Sequence, residues 1–240
     1  MPRLILESEE EKAEWEAAKK RREMRIKRKE EGVDVKRNKM DYVQYVGGIV
    51  LLTLGVAFSS KAGLGTGSLD SINFALADRT GLNLSIIILL MAFVAIIIST
   101  VIRRGKPNFK PLMTAIFMAI FTEGWVKVVD MITVDTIVHQ IIIFTVAIFC
   151  ASVGIAIYLR PKFPANPNDD ITVALNEVFK LKIGTAKLLI DLIAIIIALL
   201  LKGPIGIGTI LMTVLIGPAV NLANSLIDKC ASSSNEKSVV

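Results

Sequence analysis

Hydrophobic residues gather in six stretches, at about 42–60, 84–102, 111–129, 138–159, 184–202 and 205–227. Each approaches the roughly 20 residues a helix needs to cross the hydrocarbon core of a bilayer, so the pattern predicts six transmembrane helices. Alternating strands of about ten residues are absent, which argues against a barrel. Between the first and second stretches, and again between the fourth and fifth, lies a segment too long for a turn and too polar to span. In the first, Gly63-Leu64-Gly65-Thr66-Gly67-Ser68 precedes LDSINFALADRTG; in the second, Lys162-Phe163-Pro164-Ala165-Asn166-Pro167-Asn168 precedes DDITVALNEVFK. Glycine and proline each interrupt a helix for a different backbone reason. Both segments therefore read as a kinked lead followed by a short amphipathic helix, either interfacial or re-entrant.

The two segments are related by an internal repeat at an offset of ninety-nine residues. Aligned without a gap from Leu54 and Val153, Gly55 falls on Gly154, Ala57 on Ala156, Lys61 on Arg160, Asp70 on Asp169, Ile72 on Ile171, Ala75 on Ala174 and Leu76 on Leu175. Further on, Leu112-Met113-Thr114 meets Leu211-Met212-Thr213. Apolar matches arise by chance in any membrane protein, so the glycines, the basic pair, the aspartates and the shared breaks carry the assignment. Each copy holds three spans. An odd number makes the second copy enter from the opposite face, so the halves are inverted about an axis in the membrane plane. The predicted fold is an all-α membrane protein of six transmembrane helices in two inverted three-helix repeats, each with a short helix, preceded by a charged cytoplasmic helix. Its divisions are a cytoplasmic arm (1–41), a first repeat (42–137), a second repeat (138–228) and a cytoplasmic tail (229–240).

Composition agrees: 240 residues with 53% hydrophobic content and a mean hydropathy of +0.59 describe an integral membrane protein. The highly charged stretch of about forty residues before the first span leads us to expect no signal peptide. One set of loops holds Arg103, Arg104, Lys106, Lys110, Arg160, Lys162, Lys180, Lys182, Lys229 and Lys237, whereas the other holds only Lys61, Arg79, Lys127 and Lys202. The bias puts both termini in the cytoplasm. Tyr42, Tyr45 and Tyr158 are then expected at the inner interface and Trp125 near the outer one. Cys150 and Cys230 fall at opposite depths, poorly placed to pair.

In the arm, Ser8-Glu9-Glu10-Glu11 reads as a capping box and Gly32 as a helix stop. Glu9 to Glu16 is mainly acidic, while Lys19 to Lys29 is a basic block interrupted among the charges only by Glu23. Acid first and base last suits the helix dipole. One reading is a solvated helix that obeys the positive-inside rule; another is contact with anionic lipid, worth around 1 kcal/mol per basic residue near the surface. No nucleic-acid partner is expected, because Trp15 stands alone among the charges.

Asp191 is the sharpest single residue. It lies in LLIDLIAIIIALLL, about eight residues into its span, or roughly 12 Å deep at 1.5 Å per residue. A carboxylate there costs several kcal/mol unless protonated, paired or hydrated. Lys187, one turn earlier, is the candidate partner; a structural pair and a proton, ion or substrate contact both fit. Glu123, with Lys127 four residues on, reads first as a structural ion pair nearer an interface, and a substrate or coupling contact is the alternative. Asn221 and Asn224 share a face beside a Gly217-Pro218 break and read first as interhelical glue. Asp70 and Asp169 stand where N-caps are needed, and the alternative is that their leads dip in and aim helix N-termini at a central cavity. Asn73 and Asn176 add weaker amide contacts. There is no Ser/His/Asp set, no metal motif and no P-loop, so neither enzyme chemistry nor a metal or cofactor is expected.

The LGVAFSSKAGLGTGSLDSI segment, the TGLN that follows and GPIGIGTILMTVLIGPAVN resemble the YczE/YyaS/YitT family of bacterial inner-membrane proteins, from Tyr45 to Asp228 but not in the arm. The motifs are AGLG at Ala62–Gly65, GIGT at Gly206–Thr209 and IGP at Ile216–Pro218; in the second copy Pro161-Lys162-Phe163-Pro164 replaces the AGLG-like turn. The resemblance implies a bacterial plasma-membrane protein and carries over no catalytic or binding residue. The leading expectation is a secondary transporter or permease for an unidentified small solute, with Asp191 as the coupling or substrate carboxylate and Asp70, Asp169 and Asn221 lining the path. The alternative is a non-transporting scaffold that recruits a cytoplasmic partner through its arm. Asp191 favours a cationic solute and helix N-termini an anionic one; no oligomeric state is indicated.

Overall fold

The structure, a computed structural model, describes the backbone of residues 38–237 and the side chains of residues 38–229. The Ser8–Glu11 capping box, the Lys19–Lys29 block, the Gly32 stop and the Cys230 side chain lie outside the described residues. Eight helices and no strand are described: α1 (Lys39–Ala62), α2 (Ser68–Thr80), α3 (Leu84–Arg103), α4 (Lys110–Val129), α5 (Ile137–Leu159), α6 (Pro167–Phe179), α7 (Ile183–Leu200) and α8 (Ile207–Lys237). All but α2 and α6 are long and apolar enough to cross a membrane. In α3, the run SIIILLMAFVAIII is rich in β-branched residues that lose side-chain freedom in a helix. Lipid overrides that preference, because each backbone N–H and C=O must be satisfied within the segment. The same demand explains α8, which runs unbroken through Pro218 where a break was expected. Proline forfeits one backbone bond, and opening the helix there would free more.

At the centre, α1 and α5 meet backbone to backbone. They are 50% and 44% buried along their apolar lengths, against 11% to 28% for the other four spans. A Cβ on Gly154 would run into the Leu52 nitrogen, and one on Gly55 would stand 2.6 Å from that of Ala151. Lipid tails are as apolar as leucine, so close van der Waals packing of this kind takes over the role hydrophobic burial plays in water.

Aromatic rings close one end of this pair. Tyr45 stacks on Phe163 with centroids 4.4 Å apart and meets Tyr158 and Phe117. Tyr45 and Tyr158 are 1% and 2% exposed, so of the three tyrosines expected at an interface only Tyr42 is exposed. The hydroxyls explain the difference. Thr114 Oγ1 donates to the Pro164 carbonyl at 2.6 Å and lies 2.6 Å from the Tyr45 hydroxyl. Threonine has one proton to give, so Tyr45 is the donor to Thr114. A ring whose polar tip is satisfied inside needs no interface. Trp125 also turns inward, donating to the Val50 carbonyl at 3.1 Å.

The short helices have thirteen residues each, and their starts (Ser68, Pro167) and ends (Thr80, Phe179) keep the offset of ninety-nine. Both stop on a left-handed residue, Gly81 at φ 68 and Lys180 at φ 58. Each packs on a span from the other half of the chain. On α7, Ala194 and Ala198 receive Ile72 of α2, and Arg79 Nε donates to the Leu201 carbonyl at 2.9 Å. On α3, Arg103 holds Asp170 and Glu177 of α6 at 2.7 and 2.9 Å. Asp70 and Asp169 are not the N-caps. Gly67 and Asn166 hold those positions, with Asn166 Oδ1 accepting from the Asn168 N–H at 3.2 Å. The helices begin three residues earlier than the aspartates suggested, which leaves both acids in the first turn, where the dipole still favours them.

The lead into α2 docks on the loop between α7 and α8 and on the first turn of α8. The Leu64 carbonyl accepts from the Gly208 N–H at 2.7 Å, and the Thr66 N–H donates to the Pro204 carbonyl at 3.1 Å. Gly65 has φ 108, and a Cβ there would lie 2.5 Å from Thr209 Oγ1 and 2.6 Å from the Gly206 nitrogen. Only glycine fits this backbone at this distance. The AGLG and GIGT segments are thus two sides of one contact.

Candidate functional site

Asp191 is the ninth of eighteen residues in α7 and only 4% exposed. Ser68, the first residue of α2, donates its hydroxyl to Asp191 Oδ1 at 2.6 Å, and Lys187 Nζ lies 3.5 Å from Oδ2. The start of α2 is therefore level with the middle of a span-length helix. Asp70 and Asp169, one from each short helix, are half-buried and both feel Lys187 and Asp191. Burial pushes the Asp70 carboxyl up to about 6, with Lys187 pulling the other way and Asp191 adding to the push. Burial likewise raises Asp169, opposed by Lys187 and by the Tyr158 hydroxyl, a long 3.4 Å contact. Three carboxylates thus share one ammonium, a surplus of negative charge where charge is expensive.

Beside this centre is a cavity of about 30 Å³. Asp70, Asn73, Thr122, Asn166 and Asn168 form its polar wall and residues such as Met91 and Met118 its apolar one. Asn73 is 7% exposed, and its Oδ1 has no hydrogen-bond partner. Leaving such an acceptor unpaired costs about 1–3 kcal/mol.

The other sequence candidates lie elsewhere. Glu123 pairs with Lys127 at 2.7 Å and accepts from the N–H and hydroxyl of Ser85, the N–H at 3.0 Å. It serves the first turn of α3, whose own N-cap residue Asn83 makes no side-chain cap. Asn221 is exposed, and Asn224 is half-buried with its carbonyl accepting from Arg160 at 3.2 Å. Neither lines the cavity; α8 turns Asn221 outward while packing on α5. Asn176 donates to the Leu181 carbonyl at 2.7 Å. Among the described residues no trio of His, Cys, Asp or Glu is disposed to hold a metal ion, so the three aspartates do not form one. Ser68, Asn166 and Asn168 were not singled out in the sequence, although polar residues directly after a helix-breaking lead were the available signal.

The profile of a family of unknown function, DUF6198, matches residues 39–225. Among similar proteins, the uncharacterized protein YyaS of Bacillus subtilis (strain 168) is 29% identical over 199 residues, covering 82% of this chain and 99% of that protein. The uncharacterized membrane protein YczE of the same organism is 21% identical over 174 residues, covering 72% and 80% respectively. No solved structure matches the chain. The matched residues run from the start of α1 into α8 and take in both docking motifs and the whole charged centre. This chain belongs to the DUF6198 family, together with relatives of the YczE and YyaS kind.

Proposed function

We propose that the chain is a secondary transporter or permease for a small solute, working by alternating access between inverted halves α1–α4 and α5–α8. The observation that carries this reading is the bond from Ser68 to Asp191, which ties the start of a short helix in one half to a buried carboxylate halfway along a span of the other. A lead that reaches such a depth is re-entrant, and irregular backbone is tolerated there only against protein or a water-filled cavity. The repeat is supported by the matched bounds of α2 and α6, and three spans per copy would invert the second. The repeat is supported also by a matched pair of ion pairs: Lys61 lies 3.5 Å from Asp130 just past α4, and its repeat partner Arg160 lies 2.6 Å from Asp228 on α8. In this reading Asp191 is the substrate or coupling carboxylate, Asp70 and Asp169 flank it, and Lys187 is its resident counter-ion. The lysine- and arginine-rich loops face the cytoplasm of a bacterial cell, with both termini on that side.

The test begins with a thermal-shift screen of the purified chain against metabolites and ions. A ligand at one hundred times its dissociation constant stabilises the folded state by about 2.7 kcal/mol. The hit is then followed into proteoliposomes. Asp191→Asn, which keeps shape and removes charge, is expected to abolish uptake with normal expression and folding. Undiminished uptake in that variant would sink the assignment of Asp191. A screen without hits, with Asp191→Asn as stable as the parent, would instead favour a non-transporting scaffold.

A further inference from the structure

The orphaned amide and one of the three carboxylates, Asp70, lie on the same cavity. Two buried side-chain atoms among the described residues lack a partner, Asn73 Oδ1 and Arg160 Nε. Arg160 already donates to Asp228 and to the Asn224 carbonyl, so its Nε is the remainder of an engaged guanidinium. Asn73 is different, because its unpaired atom is an acceptor on a cavity wall that also carries a carboxylate. Asp70 makes no hydrogen bond or ion pair within the described residues; its Oδ2 folds back over Gly67, 2.9 Å from where a Cβ would stand. Lys187, the nearby ammonium, is committed to Asp191.

We propose that this cavity binds one small monovalent metal cation, held by Asn73 Oδ1 and the Asp70 carboxylate, with oxygens of Asn166, Asn168 and Thr122 available to complete its shell. Three magnitudes select this class. A cavity of about 30 Å³ exceeds the roughly 10–15 Å³ that one water needs, so the site has room for a small ion together with part of its water. One carboxylate among neutral oxygens balances a single positive charge, whereas calcium sites recruit several carboxylates and magnesium keeps much of its water. The N-terminus of α2 opposes a cation with about half a unit charge, less than the full charge that Asp70 contributes. The ion supplies the positive charge that the polar wall lacks and fills the valence of Asn73 Oδ1.

That the ion drives solute movement rests on the transport reading; that it binds does not. The full-length chain in detergent, prepared in N-methyl-D-glucamine chloride, is titrated with lithium, sodium or potassium chloride at constant ionic strength. Melting temperature and, by equilibrium dialysis, bound radiolabelled sodium are followed. At least one alkali cation is expected to raise the melting temperature saturably. Asn73→Leu should weaken binding at least about tenfold, while Asn73→Asp, which keeps an oxygen there, should retain it. Should Asn73→Leu fail to fold, Asp70→Asn serves, and it must lose the shift. Equal melting in every salt, or an undiminished shift in both Asn73→Leu and Asp70→Asn, would overturn the site. Ion binding without solute uptake would leave the site and overturn the transporter. Uptake without ion binding would do the reverse.

Discussion

The chain approaches α2 through Gly63–Gly67 and α6 through Phe163–Asn166, and these leads are fastened by different chemistry. The first presses bare backbone on bare backbone: Gly65 against Gly206, and the Leu64 carbonyl on the Gly208 N–H. The second is held by side chains, with Phe163 stacked on Tyr45 and the Pro164 carbonyl accepting from Thr114. Yet the helices that follow have the same length, the same acid in the third position and the same left-handed stop. Positions that aim the helices at the charged centre are matched, and those that fasten the leads differ. Pro161-Lys162-Phe163-Pro164 in place of AGLG is therefore a change of fastening that leaves the bounds of the short helix at the same offset of ninety-nine residues. Helix starts differ too: Ser68 reaches Asp191, whereas Pro167 at the matched position has no donor to offer.

The contrast breaks most sharply at Gly65. Gly65→Ala places a side chain on a backbone at φ 108 and drives it into Thr209 and Gly206. Strain of about 1–3 kcal/mol and overpacking of similar size add, for a loss of about 4 kcal/mol. Pro164→Ala, the matched position, keeps the carbonyl that Thr114 binds and is expected to cost under about 1 kcal/mol, mainly through a freer unfolded chain. Denaturant melts of both variants in detergent check the pair. Equal losses would mean that the two leads are fastened alike.

Between the halves, the Ser68 hydroxyl is the second point of attack. Ser68→Ala leaves the Asp191 carboxylate with Lys187 alone at 3.5 Å. A hydrogen bond to a charged group contributes about 1.5–3 kcal/mol, so a loss of about 2 kcal/mol is expected, and Ser68→Thr should restore most of it. The check is the melting midpoint of both variants, with Asp191→Asn combined with Ser68→Ala as a double-mutant cycle. Additive losses would mean that the bond does not couple the helices.

These two sites mark what the amino-acid pattern made legible. The six spans and both short helices follow from hydropathy, because lipid leaves the backbone no alternative to helix. Lys187 and Asp191 were readable as partners because four residues on a helix bring side chains together. Ser68 lies 123 residues from Asp191 in the chain, and no local period reports such a distance. Asn73 reads as an ordinary polar position on an amphipathic helix, and only its burial beside a cavity makes it a candidate ligand. The burial of Tyr45 and Tyr158 was hidden for the same reason: the groups that meet their hydroxyls come from α4 and α6. Asp70 and Asp169 look like caps because acids favour helix starts, yet a glycine can hold the cap with no side chain to announce it.

The smallest effect lies in the side-chain fastening of the second lead. Tyr45 donates to Thr114, and Thr114 donates to the Pro164 carbonyl, so two bonds of 2.6 Å run in series to the backbone before α6. Tyr45→Phe keeps the ring, and with it the stack on Phe163, while removing the first donor. Thr114 retains its own proton for Pro164, so the lead stays fastened, and a net loss of about 1 kcal/mol is expected. Thr114→Val cuts both bonds at once and leaves the buried Tyr45 hydroxyl without this acceptor, so it should cost more than Tyr45→Phe. Midpoints of the two variants in the same denaturant series decide the order. A Tyr45→Phe loss as large as that of Thr114→Val would mean that the tyrosine proton, and not the threonine, orders the second lead.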